Sequence, residues 1–124
     1  MHLTAFLLFL VAWTCALWSP VPQESARDTL GSDWHVFLFG KGLHVSVYAF
    51  LTILGGSVRR FGKQWVWVLP ALVVHGALIE LVQPYVGRTG SLRDVGLDAI
   101  GVVIGGLIIG GERWLRRDRA SGAA

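Results

Sequence analysis

Seven polar side chains stand out in an otherwise apolar chain: Lys41, His44, Tyr48, Glu80, Gln83, Asp94 and Asp98. Positions 41, 44 and 48 follow i, i+3, i+7, positions 80 and 83 are i, i+3, and positions 94 and 98 are i, i+4, so each set shares one side of a helix. Together they offer an imidazole that can move a proton, carboxylates that can orient it, and an ammonium that can hold an anion. Arg88 and Ser91 lie on the short connection between the second and third sets, where they would overhang any cleft the sets enclose. His44, Glu80 and Asp94 are the candidates for acid–base catalysis, although no catalytic residue is fixed by the pattern. A divalent cation on Glu80, Asp94 and Asp98 would be sensible chemistry, but no spacing specifies it, so no metal site is assigned and the cofactor stays unknown.

The elements that must position these groups follow from composition. With 53% hydrophobic and 15% charged residues in 124, and a mean hydropathy of +0.56, the chain lies on the apolar side of soluble proteins and reads as a membrane protein. Its net charge of +3 comes from basic residues between and after the apolar runs, where they set topology, so nucleic-acid binding is not expected. Cys15 is the only cysteine, which excludes an intramolecular disulfide and a multi-cysteine metal site. The start lacks a basic region and Trp13 is bulky beside a supposed lipoprotein cleavage point, so the first apolar run is read as a retained helix.

Four transmembrane helices are expected, at about 3–18, 42–58, 64–82 and 95–114, in a single all-α domain spanning 1–124. Ser19-Pro20-Val21-Pro22 ends the first, because its prolines cannot continue a helix. A polar loop runs from Gln23 to Asp33, and Trp34 to Phe39 read as a short interfacial segment. Arg59, Arg60 and Lys63 follow the second helix; the third opens with Trp65 and Trp67, contains Pro70 in its first turns and closes at Pro84. The glycines of the fourth would weaken a helix in water, but in a bilayer Gly101 and Gly105, spaced four apart, permit close helix packing.

Seven of the eleven lysines and arginines fall after helix two and in the tail, which puts both termini in the cytoplasm and the polar cluster at the outward face. An ionisable group inside a span costs roughly 2.5 to 3.5 kcal/mol, and such groups turn inward and pair. Glu80 and Asp98 each fall about one turn inside a predicted helix end, too deep for short side chains to reach water. Two readings of the cluster stay open: a ligand or catalytic cleft, and a polar clamp that ties three helix ends to a loop. Tyr48 reads as a buried hydrogen-bonding anchor, Ser91 as a helix cap or loop residue, and Asp94 as either a cap or a site residue. His75 points more than about 100° away from Glu80 on a helical wheel and reads as a satisfied core histidine. The tail arginines read as solvated charge.

The chain resembles the VanZ-like family, named for a protein associated with resistance to the glycopeptide teicoplanin. The resemblance rests on Lys41-Gly-Leu-His44-Val-Ser-Val-Tyr48, on Glu80-Leu-Val-Gln83 followed by Arg88 and Ser91, and on Asp94-Val-Gly-Leu-Asp98-Ala-Ile-Gly101 with Gly105, and covers most of the chain. Gly40 stands where the family often has an acid before the lysine, and Asp98 where it usually has asparagine. The second departure adds a negative charge that the family's cleft does not carry. The resemblance implies a multi-pass bacterial cell-membrane protein of the envelope and names a setting, not a reaction.

Three functions are compatible with these residues. In the first, the outward cleft engages the anionic headgroup of an envelope lipid or cell-wall precursor and so affects glycopeptide susceptibility; Lys41 and Arg88 hold phosphate, His44 and Tyr48 are further donors, Glu80, Gln83 and Asp94 orient the site, and Ser91 and Asp98 complete the ligand-binding set. In the second the protein is an intramembrane enzyme on a phosphate-bearing lipid, although no Gly-x-Ser-x-Gly or His-Glu-x-x-His pattern is present. In the third it is a structural or partner-binding subunit, assembling through the glycine face of helix four, with a homo-oligomer as one form.

Overall fold

The computed structural model describes residues 2–19, 28–87 and 90–122, and they are all helical with no strand among them. We number the α-helices α1 (His2–Trp18), α2 (Asp33–Gly56), α3 (Val68–Val82) and α4 (Leu92–Gly122). A 3₁₀ segment, Arg59–Trp67, leads into α3, and a second, Gln83–Val86, follows it. Residues 23–27 of the polar loop expected from Gln23 to Asp33, and Arg88, lie outside the described residues, and 28–30 form a helical turn instead of loop.

Three boundaries differ from the sequence expectation, each for a local reason. Helix two begins at Asp33, not near 42, because Ser32 is an N-cap whose side chain accepts from the His35 backbone N–H, with Asp33 in the first turn. Trp34 to Phe39 are therefore the opening turns of α2 and not a separate interfacial segment. Helix three winds as 3₁₀ before Val68, because Pro70 has no N–H to offer the carbonyl four residues back. Helix four runs from Leu92 to Gly122, beyond both predicted ends, since no breaker interrupts the tail and Arg116 pairs with Glu112 one turn earlier at 2.5 Å.

Packing centres on α2 and α4, whose contact is the most extensive in the molecule, with α3 against α4 and α1 against α2. A side chain at Gly101 would meet the Val45 carbonyl, and one at Gly105 would meet the Ala49 carbonyl and Thr52. The absence of Cβ at these two positions is what lets the α4 backbone lie on α2. Phe6, Tyr48, Leu51, Val68, Leu72 and Val102 form the apolar core.

The outside of the bundle is strongly apolar. Leu8 and Val11 on α1, Leu78 and Leu81 on α3, and Val103 and Leu107 on α4 are all exposed, while His44, Glu80, Gln83, Asp94 and Asp98 are buried. Such a distribution inverts that of a soluble domain. Two stretches, Asp33–Gly56 and Arg59–Val86, are long and apolar enough to cross a membrane, and Leu3–Trp18 is a shorter apolar helix.

Candidate functional site

The site is built where α2, α3 and α4 converge beside the turn that joins the last two. Because α2 starts early, Lys41 and His44 are well inside it, in its third and fourth turns, instead of at its opening. Asp98 is likewise the seventh residue of α4, two turns from its start, deeper than the sequence indicated. Glu80 is in the last turn of α3, and Gln83 is buried in the 3₁₀ turn that follows.

Three contacts join these elements. The Lys41 ammonium pairs with Asp94 Oδ1 at the rim, where both side chains are partly accessible. One turn deeper, His44 Nδ1 meets Asp98 Oδ1 at 2.8 Å. Glu80 Oε2 accepts the Ser91 backbone N–H at 2.6 Å and so ties the end of α3 to the start of α4. Ser91 immediately precedes α4, and its carbonyl accepts the Asp94 N–H at 2.8 Å. Asp94 spends its carboxylate on Lys41 within the first turn of α4, which is a pairing role and not that of a cap.

His75 is a satisfied histidine, as its sequence reading has it, and its two partners join it to this network. Its Nδ1 lies 3.0 Å from the Tyr48 hydroxyl and its Nε2 lies 2.9 Å from the Thr14 hydroxyl. One placement of the protons is consistent with these distances. Thr14 donates its one proton to the Leu10 carbonyl at 2.8 Å, so it accepts from His75, and Nε2 carries the ring proton. In the neutral ring Nδ1 is then an acceptor, and Tyr48 donates to it. A helical wheel misses this because it compares residues within one helix, whereas Thr14 and Tyr48 reach His75 from α1 and α2.

Gly76 is a second residue that sequence reasoning passed over. A Cβ there would fall 2.6 Å from Asp98 Oδ2 and 3.2 Å from the Tyr48 hydroxyl, so the glycine makes room for both against α3. The available signal was its spacing: positions 76, 80 and 83 are i, i+4, i+7, one face of α3. Trp13 of α1 closes the site over His44, their rings meeting edge to face at 5.9 Å.

Not every buried atom in the cluster is satisfied. Glu80 Oε1 and Asp98 Oδ2 are buried with no hydrogen-bond partner among the described residues. One atom each from His44, Glu80 and Asp98 lie within 4.8 Å of one another. The sequence had grouped Asp94 with the two acids as the conceivable cation set; the structure engages Asp94 with Lys41 and puts His44 in its place.

The arrangement can bind a polar or charged group between three helices, and it holds an imidazole and carboxylates close enough to exchange a proton. Comparison with protein-family models, curated proteins and solved structures returns no match for this chain.

Proposed function

We propose that the chain is a four-span membrane protein of VanZ-like kind, whose buried polar cluster forms an outward cleft for the polar headgroup of an envelope lipid or cell-wall precursor. The observation that carries this reading is the concentration of Lys41, His44, Glu80, Gln83, Asp94 and Asp98 inside one end of a bundle whose outside is apolar. Ionisable groups held in such a place at a cost of roughly 2.5 to 3.5 kcal/mol each mark functional sites in membrane proteins more often than decoration. The proposed spans are α1, α2, the 59–86 stretch and the uncharged part of α4 between 99 and 111. By the charge rule, the arginine-rich end faces the cytoplasm and the cluster faces out.

Two features support a lipid over a soluble ligand. Lys41 is at the accessible rim, where its ammonium can move from Asp94 to an incoming phosphate, with Arg88 on the neighbouring connection as a second cation. An apolar groove of about 400 Å³, lined by Phe6, Leu10, Phe61, Trp67 and Leu72, reaches His75 at the edge of the polar network. A groove of that lining suits an acyl chain whose headgroup rests on the cluster.

The test is to purify the protein in mild detergent and identify bound lipids by mass spectrometry, comparing wild type with a Lys41→Ala, Arg88→Ala double variant. Wild type is expected to carry a phosphate-bearing lipid that the double variant loses. Identical bulk lipids in both would overturn headgroup recognition and favour the clamp.

A further inference from the structure

The Lys41–Asp94 pair is neutral in itself, which leaves Glu80, Asp98 and His44 as the unbalanced part of the buried site among the described residues. With both carboxylates ionised and the imidazole neutral, two negative charges in excess would share a space closed by Trp13 and by three helices. Burying like charges without a counter-charge is among the most costly arrangements a protein can hold.

The hydrogen bonds sharpen the problem. Asp98 Oδ1 is opposite His44 Nδ1 and Glu80 Oε2 holds the Ser91 N–H, but Asp98 Oδ2 and Glu80 Oε1 have no donor among the described residues. The Tyr48 hydroxyl lies 3.0 Å from His75 Nδ1 and so has a partner outside the two acids. Gly76 keeps the space beside Asp98 Oδ2 clear of a side chain. Two carboxylate oxygens and an imidazole thus stand together, buried 94% and 99% for the two acids, with lone pairs on the two acids that no described residue fills.

We infer that His44, Glu80 and Asp98 form a binding site for one divalent transition-metal ion. One nitrogen and two oxygen donors suit ions of the Zn²⁺ or Mn²⁺ class, at bond lengths of about 2.0 to 2.2 Å. Neighbouring ligands around such an ion are about 3 to 3.5 Å apart, so the His44–Asp98 spacing of 2.8 Å is near that of adjacent ligands, and the three ligand atoms all lie within 4.8 Å of one another. The charge of the ion cancels the two carboxylates. Three protein ligands also leave coordination positions open, and an oxygen of a phosphate group or a water would complete the shell. The metal site stands apart from the headgroup reading, since it rests on the acids and the imidazole and not on Lys41 or Arg88.

The experiment uses the full chain, purified in detergent through a tag free of histidine, stripped with a chelator and then loaded with Zn²⁺ or Mn²⁺ in the absence of added lipid. Metal content after desalting is read by plasma mass spectrometry and stability by thermal unfolding. Wild type is expected to retain one ion per chain and to melt higher when loaded; Asp98→Asn and Glu80→Gln are expected to lose both effects, while Glu112→Gln at the other end of the bundle keeps them. Retention of the same ion by Asp98→Asn and Glu80→Gln, or failure of wild type to bind either ion, would overturn the site. The chelated forms control for folding: Asp98→Asn keeps an oxygen for His44 and is expected to melt like stripped wild type. Should either variant not fold, Co²⁺ loading of wild type decides instead. A visible absorption band of nitrogen–oxygen coordination is the expected result, and a spectrum identical to aqueous Co²⁺ refutes the proposal.

Discussion

The two ends of the bundle use the same kinds of residues to opposite effect. At one end, His44, Glu80, Asp94 and Asp98 are withdrawn among three helices with Lys41 at their rim, and two carboxylate oxygens have no partner among the described residues. At the other, Arg113 donates to the Gly56 carbonyl and, at 2.8 Å, to the Gly62 carbonyl, while Glu112 and Arg116 pair in the open. Arg113 also lies over the Trp65 ring at 5.5 Å. These contacts close the end of α2 and the turn after it, where Gly62 adopts a positive φ of 51° that a side chain would disfavour. An open cavity of about 560 Å³ beside them is lined by Arg59, Glu112, Arg113, Arg116 and Arg117. Charge at the arginine end finishes a helix and, in the proposed orientation, marks the cytoplasmic side. Charge at the acid end is held under protein and left incomplete, which is the condition of a site.

That contrast can be broken by substitution, and the largest effect is expected at the acid end. His44→Leu leaves Asp98 buried with neither oxygen partnered, and should cost about 3 to 5 kcal/mol, the range for removing one partner of a buried pair. Detergent-denaturant unfolding followed by helical circular dichroism measures it, and a loss below 1 kcal/mol would mean that water reaches the site freely. Arg113→Ala comes next, at about 1 to 3 kcal/mol, because two helix-end carbonyls lose a charged donor. Its effect should appear as a faster hydrogen exchange confined to residues 56–62. Glu112→Gln is expected to change stability by no more than about 0.5 kcal/mol, since the pair it breaks is exposed. An effect of the same size as that of His44→Leu would erase the distinction between the two ends.

The all-helical class and the grouping of the polar residues were legible because both depend on local pattern. Apolar runs with helical spacing identify helices, and i, i+3, i+4 offsets put Lys41 beside His44 and Asp94 beside Asp98 whatever the rest of the chain does. Pairing between helices was not legible. Nothing in the spacing says that Asp94 turns to Lys41, that Asp98 turns to His44, or that His75 reaches both Thr14 and Tyr48, because these depend on how each helix is rotated against its neighbours. The start of α2 was misplaced because Gly40 and Gly42 resemble a break, yet the Ser32 cap had already set the helix winding and both glycines face open space. Gly76 was hidden for the opposite reason, since its use appears only when Asp98 arrives from α4.

Rotation of α1 is set by the same contacts. Its surface is apolar on nearly every side, so dispersion against α2 and α3 gives it little preference for one angular setting over another. The chain of donors running from Tyr48 through His75 and Thr14 to the Leu10 carbonyl does discriminate, because turning α1 by one residue, about 100°, would swing Thr14 out of reach. Thr14 is in this sense a detent: it stops α1 at one angle, and with it the angle at which Trp13 meets His44. The ring over His44 is therefore held in alignment by one hydroxyl together with the Phe6 side chain that α1 buries in the core.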